Sequence, residues 1–248
     1  MGEPLTIEGI TKRFGDMVAV DAVDLEIASG PVTGIIGPNG AGKTTLVHLL
    51  TGHLQPDAGR IRLGTRDVTR LEPHDRVRWG LSRTFQVVDI FPGLTVFQNV
   101  QMARITRAGG NLRFFRRAAS EHAEEVERGL NEVGLWEFRE RKGEQLSHGQ
   151  QRRLELAITL ATEPELCFLD EPTSGVSPHE RDQMVELIRE LAGQRQTTFV
   201  VIEHDMELIF DLCERVVVMH RGAVLADGTP ADIRENEEVK EIYLGEEA

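Results

Sequence analysis

Eight consecutive residues, Gly37-Pro38-Asn39-Gly40-Ala41-Gly42-Lys43-Thr44, carry the spacing G-x-x-x-x-G-K-[ST]. Glycines let a backbone wrap tightly, so that successive N–H groups converge on one phosphate, and a helix opening behind them adds positive potential. Lys43 is long enough to reach β- and γ-phosphates, and Thr44 offers a hydroxyl to Mg²⁺. Thr45 follows directly and joins the nucleotide-binding set. Farther along, Leu166-Cys167-Phe168-Leu169 is an apolar run ending in Asp170-Glu171. A strand-end Asp170 suits Mg²⁺, and Glu171 beside it stands where a carboxylate polarises an attacking water. In Leu146-Ser147-His148-Gly149-Gln150, Ser147 and Gln150 have capping-box spacing and predict a helix start. An exposed start with Ser147 and the small Gly149 is also an anion site.

These residues need a frame. Val32–Ile36 is an apolar strand leading into the glycine turn, and Leu46, Val47, Leu49 and Leu50 give Thr44–Leu50 a helical face closed by Gly52. Leu5–Ile10, Val23–Ile27 and Arg60–Leu63 read as strands. Leu166–Leu169 and Thr197–Ile202 have the short apolar form of buried parallel strands. Ala119, Ala123, Val126, Leu130 and Val133 predict an amphipathic helix stopped by Gly134. The basic group Arg113, Arg116, Arg117 and the acidic group Glu121, Glu124, Glu125, Glu127 read as its solvated face, with a partner-docking surface as the other reading. After Ser147, the run Leu154, Ala157, Ile158, Ala161 predicts a buried stripe. Ser177-Pro178-His179-Glu180 caps another helix, faced by Met184, Leu187, Ile188 and Leu191. Arg215–His220 and Ala223–Asp227 flank Arg221-Gly222 as a hairpin, and Thr229-Pro230-Ala231-Asp232 opens a last helix.

Composition bounds the function. The chain has 248 residues, and its net charge of −13 argues against bulk nucleic-acid binding, which needs clustered Lys and Arg. Cys167 and Cys213 are the only cysteines, so no disulfide scaffold is expected and a reduced setting fits. The N-terminus shows no basic-then-apolar leader pattern. The longest uncharged stretch, Ile27–Gly42, is interrupted by Pro31, Pro38 and Asn39, so no membrane span is expected.

The order of the glycine turn, Phe85-Gln86, Leu146-Ser147-His148-Gly149-Gln150, Asp170-Glu171-Pro172 and Glu203-His204-Asp205 resembles the ATP-binding-cassette (ABC) ATPases over essentially the whole chain. The resemblance implies an α/β fold: a P-loop NTPase (RecA-like) core with an antiparallel β subdomain and an inserted α-helical subdomain. Residues 1–248 would be one such domain, with 1–86 and 161–248 forming the core and β subdomain and 87–160 the helical subdomain. It implies ATP and Mg²⁺, and two subunits closing head to tail on two ATPs. Each site would use one subunit's Gly37–Thr45 and the other's Ser147, Gly149 and Gln150. By position, Phe14 in Lys12-Arg13-Phe14-Gly15 would stack on adenine, and Gln86 would sense the γ-phosphate and join Thr44 and Asp170 at the metal. Glu171 would be the catalytic carboxylate, and His204 would contact the γ-phosphate, so Glu171, His204, Gln86 and Lys43 form the implied catalytic set. Two positions depart from the commonest pattern: His148 stands where Gly is usual, and Ser177 where many members have Asp.

Arg83-Thr84-Phe85-Gln86, Leu94-Thr95-Val96, Gly149–Ala157, Val201–Met206 and Tyr243-Leu244-Gly245-Glu246 resemble the branched-chain amino-acid importer class. That likeness implies a peripheral subunit on the cytoplasmic face of the cell membrane. Its implied partners are membrane permease subunits, a second ATPase subunit of unlike or like chain, and a periplasmic or surface solute-binding protein, with no nucleic acid. Importers of urea, amides or aromatic acids are related, and a non-transport cassette ATPase is the remaining alternative. A GTPase is disfavoured because the chain has no Asn-Lys-x-Asp.

Overall fold

The computed structural model describes residues 2–84, 90–107 and 122–244. Expectations that fall on Phe85, Gln86, Arg113, Arg116, Arg117, Ala119, Glu121, Gly245 and Glu246 lie outside these residues.

Two sheets share the described chain. The first is antiparallel in the order β2-β1-β4-β5, from β1 (Leu5–Phe14), β2 (Met17–Ile27), β4 (Ala58–Leu63) and β5 (Arg66–Asp67). The second has the order β10-β9-β3-β8-β7-β6, from β3 (Thr33–Ile36), β6 (Leu81–Arg83), β7 (Leu166–Asp170), β8 (Thr198–Ile202), β9 (Arg215–His220) and β10 (Ala223–Gly228). Its β9, β3, β8, β7 and β6 run parallel, and β10 returns antiparallel beside β9.

The apolar runs predicted as buried parallel strands are buried on both sides. Cys167, Leu169, Phe199, Val201, Val216 and Val218 enter one core, while Leu166, Phe168, Val200, Ile202, Val217 and Met219 enter the other. The second core also takes Leu5, Ile7 and Ile10 of β1 and Leu46, Val47, Leu49 and Leu50 of α1 (Lys43–Thr51). A helix of 9 residues is marginal alone. Four side chains buried at about 1.5–3 kcal/mol each hold α1 against the sheet. The first core joins α3 (Val96–Arg107), α4 (Ala123–Glu132), α5 (His148–Leu160), α6 (Pro178–Gln194) and α7 (Met206–Leu212) to the opposite face. The remaining described α-helices are α2 (Pro73–Arg78), α8 (Pro230–Glu235) and α9 (Glu237–Leu244).

Several local expectations hold. Ser147, Ser177 and Thr229 form complete capping boxes with Gln150, Glu180 and Asp232. Arg221 and Gly222 both take positive φ (48° and 84°), as a two-residue hairpin turn requires. The stripe on α5 differs. Leu154 and Ala157 are buried, but Ile158 and Ala161 are only partly so, and Arg152 and Glu155 are buried instead, paired at 3.3 Å. β2 ends at Ile27 as the sequence pattern predicts, but it starts well before Val23. It begins at Met17, directly across the Gly15-Asp16 turn from Phe14, and register shifts near Ile7, Ile10 and Lys12 break the alternation.

One buried cation organises the segment behind α1. Arg76 on α2 is fully buried and donates to Leu49 O and Leu50 O (2.6 Å each), Thr69 O (2.9 Å) and Leu71 O (3.1 Å). The guanidinium thus satisfies carbonyls at the C-terminal end of α1, where a positive charge also meets the negative end of the helix dipole. Burial lowers its pKa to about 10, so it remains charged at neutral pH. Arg76→Met is expected to lower stability by about 3 kcal/mol or more in urea unfolding, because these carbonyls lose a charged donor inside the protein. Arg76→Lys should recover only part of that, since an ammonium cannot span the same fork.

Candidate active site

The parallel sheet brings the predicted residues to one edge. The chain leaves β3 into Gly37–Gly42, leaves β8 into Glu203-His204, and leaves β7 through Asp170 into Glu171; β3, β8 and β7 are consecutive neighbours. The carboxyl ends of parallel strands are where open α/β sheets bind ligands.

The glycine turn is shaped by backbone packing. A Cβ on Gly37 would lie 2.2 Å from Met219 O, and one on Gly42 would lie 2.4 Å from Ala19 O. Gly40 differs: it is exposed, has φ 79°, and its added Cβ would meet nothing within 4 Å. Gly37 and Gly42 therefore seat the loop on the protein, while Gly40 supplies the turn on its outer side. Gly42 is the N-cap of α1 and provides no side-chain acceptor. Ser147, Ser177, Asp205 and Thr229 do provide one for α5, α6, α7 and α8. The amides opening α1 are thus left to accept an anion. Lys43 Nζ donates to Gly37 O and to Pro38 O (3.0 Å), which draws the ammonium back across the loop. Asn39 and Thr44 are exposed, Thr45 is half-buried and Pro38 and Ala41 are buried.

Gly222, read from sequence only as a hairpin turn, belongs to this construction. Its N–H donates to Ala41 O (2.9 Å) and its O accepts from Asp21 N–H (2.9 Å). One residue thereby ties β2 to the phosphate loop. At the far end of the β1–β2 hairpin, Phe14 is 45% exposed, with Lys12 Nζ 5.7 Å from its ring centroid. Such exposure leaves a ring face for a flat ligand. Asp57 holds this end by accepting from Lys12 Nζ (3.0 Å) and Arg13 N–H (2.7 Å), and these bonds lower its pKa.

Asp170 is buried at the end of β7, and Glu171 follows at φ 46°, its N–H bonded to Ile202 O at 2.9 Å. A left-handed turn at a glutamate is uncommon, and here it redirects the chain immediately after the strand. Glu203, which sequence reading left without a role, is buried, and its Oε1 accepts from Thr173 N–H (3.2 Å) and Thr173 Oγ1 (2.7 Å). The carboxylate therefore fixes the turn after Glu171. Asp205 caps α7 through Leu208 N–H (3.1 Å) and pairs with Arg181 of α6 (2.6 Å). Between these two anchors His204 stands 72% exposed, 3.7 Å from Glu203.

The Ser147 end of α5 lies against α6. A Cβ on Gly149 would meet Glu180 Oε1 at 2.5 Å, and one on Gly175 would meet His148 Nε2 at 3.0 Å. Ser147 Oγ accepts from Gln150 N–H (3.3 Å), while Gln150 Oε1 accepts from Ser147 N–H (3.0 Å). Ser147 is exposed, and its hydroxyl, accepting from within, still has a hydrogen to donate outward. Among the described residues no hydrogen bond joins Ser147, Gly149 or Gln150 to Gly37–Thr45. Gln86 lies outside the described residues.

Comparison with known proteins identifies the family. Residues 20–174 match the ABC transporter family, and residues 223–248 match the family described as branched-chain amino acid ATP-binding cassette transporter. The chain is 41% identical, over 98% of both sequences, to the high-affinity branched-chain amino acid transport ATP-binding protein BraF of Pseudomonas aeruginosa. It is 40% identical to the corresponding protein LivG of Escherichia coli, covering 99% of this chain and 100% of that one. The crystal structure of an ATP-binding cassette of an ABC transporter in its ADP conformation superposes with a TM-score of 0.84 at 31% identity, covering 99% of each chain. On the family match over 20–174 and the identity to these relatives along nearly the whole chain, the chain belongs to the ABC transporter family as one of its ATP-binding, ATP-hydrolysing subunits.

Proposed function

We propose that this chain powers an importer of branched-chain or other hydrophobic amino acids from the cytoplasmic face of the membrane. The identity of 41% and 40% to BraF and LivG along nearly the whole chain carries the reading, supported by the C-terminal match over 223–248. No helix among the described residues is long and apolar enough to cross a membrane. In this reading permease subunits provide the path, a solute-binding protein delivers the solute, and a second ATPase subunit, unlike or like this chain, completes the dimer. Residues 1–86 and 161–248 act as the nucleotide-binding core with its β subdomain, and 87–160 as a helical subdomain. The packing of α3, α4 and α5 directly against one another supports that division.

Each residue's task follows from its setting. The amides of Gly37–Thr45 and the Lys43 ammonium bind the phosphates, and Phe14 stacks on the base. The Thr44 hydroxyl and Asp170 carboxylate are hard oxygen donors that fit Mg²⁺, with Gln86 as the third expected ligand. When bound, Mg²⁺ offsets charge developing on the phosphates. Glu171 orients and deprotonates the attacking water. His204, on its two-ended tether, contacts the γ-phosphate. Ser147, Gly149 and Gln150 present the start of α5 to nucleotide held by the other subunit, so ATP binding closes the dimer and hydrolysis reopens it.

The solute class is tested by reconstituting the chain with its permease and partner ATPase in proteoliposomes. Leucine-loaded binding protein should stimulate hydrolysis and drive uptake, and stimulation by urea or an aromatic acid alone would overturn the assignment. Glu171→Gln keeps shape and removes charge. It should lower hydrolysis by ~10²-fold or more while Mg·ATP binding persists, and near-normal turnover would remove Glu171 from the role.

The shared site is tested by mixing. Ser147→Arg adds bulk at the start of α5 and should block closure, and Lys43→Ala should empty the phosphate loop. In a dimer of like chains, mixing the two variants rebuilds one intact site, so hydrolysis should rise with mixing ratio. In a dimer of unlike chains the rescue requires the partner ATPase. A Ser147→Arg protein that hydrolyses ATP normally as a dilute monomer would end the idea.

A further inference from the structure

β6 and β7 finish side by side, and their last residues are joined three ways. Thr84 N–H donates to Phe168 O at 2.9 Å, Asp170 N–H donates to Thr84 Oγ1 at 3.3 Å, and Arg83 Nη2 donates to Asp170 Oδ2. The Arg83 and Asp170 side chains are each only 6% exposed. A guanidinium and a carboxylate withdrawn this far from water compensate each other's charge. Both charges act on His48 of α1. His48, one turn beyond Thr44, is held below its ordinary pKa first by burial and then by the Arg83 charge, with His53 adding to the lowering and Asp170 opposing it.

Asp170 is the carboxylate assigned above to Mg²⁺, and Arg83 already compensates it. A bare divalent ion approaching this oxygen also meets the Arg83 charge bonded to it, in surroundings that screen poorly. A divalent ion carried by a triphosphate arrives with net negative charge. It is drawn in by the α1 amides, by Lys43 and by Arg83 itself. We propose that Arg83 is a built-in counter-ion that keeps bare divalent metal off Asp170 and admits it only as the metal–nucleotide complex. Arg83 acts here through Asp170, as a positioning and selectivity residue, and the inference rests on Asp170 being a metal ligand.

The test is Mn²⁺ titration of the full chain, followed by electron paramagnetic resonance, with Mn²⁺ alone and with Mn²⁺ plus the non-hydrolysable analogue AMP-PNP. Wild type should take up Mn²⁺ far more weakly alone than with the analogue. Arg83→Gln keeps an N–H donor and removes the charge, and it should strengthen binding of Mn²⁺ alone by about tenfold or more. Arg83→Lys should behave as wild type, and the Arg83→Gln/Asp170→Asn double variant should lose the gain. Unchanged or weaker binding of Mn²⁺ alone by Arg83→Gln overturns the proposal. Wild type binding Mn²⁺ alone as tightly as with AMP-PNP overturns it without any variant. If Asp170→Asn leaves Mn²⁺ binding with AMP-PNP unchanged, the ligand assignment itself fails, which is a distinct result.

Discussion

The phosphate loop depends on backbone lying against backbone where no side-chain carbon fits. Gly37 is pressed to the end of β9 and Gly42 to the start of β2, both at distances a Cβ would violate. Gly222 closes the arrangement by bonding the loop at Ala41 and β2 at Asp21. The antiparallel sheet is therefore part of the loop's foundation, and Phe14 at its edge is held in register with the residues that bind phosphate. A loop built this way is shaped before any ligand arrives, so little ordering entropy is lost on binding.

Arg76 and Glu203 place charge inside the protein, and Arg181 with Asp205 places it nearer the surface, in each case where it holds segments together. Arg76 fastens α2 to the end of α1, Glu203 fastens the turn after Glu171, and Asp205 with Arg181 fastens α7 to α6. Each isolated charge would be costly in the interior, and each is satisfied by several backbone or side-chain partners. The exposed His204 stands directly between two of these anchored residues, Glu203 and Asp205. Chemistry is thus left to side chains that face outward, and rigidity is supplied by those that face inward.

Much of this is legible in the sequence because it is local. The Ser147, Ser177 and Thr229 boxes, the Arg221-Gly222 turn and the apolar runs of β3, β7 and β8 depend on neighbours a few residues apart. The glycine turn and the Asp170-Glu171 pair are legible for the same reason. Other elements are hidden by distance or by polar burial. Arg76 reads as a surface residue until Leu49, Leu50, Thr69 and Leu71 are seen around it. α3 buries Asn99 and Gln101 beside Val96 and Val100, which blurs its apolar stripe, and α5 buries Arg152 and Glu155 in the same way. The start of β2 escapes because Phe14 and Met17 are both exposed and bulges disturb the two-residue period. Gly222 and Glu203 act across the sheet, and no short pattern announces them.

The two cysteines, Cys167 in β7 and Cys213 at the end of α7, have a practical meaning. Cys167 and Cys213 are both buried; burial raises the pKa of both thiols, that of Cys213 to about 12. Thiolate is the form that reacts with maleimides and oxidants, so neither residue offers a reactive handle in the folded protein. The native chain is in effect a cysteine-silent background. A single cysteine introduced on an exposed position can carry a fluorophore or spin label without first removing the two natural thiols from the core. Subunit approach then becomes measurable as a distance between labels, in a protein whose interior has not been altered.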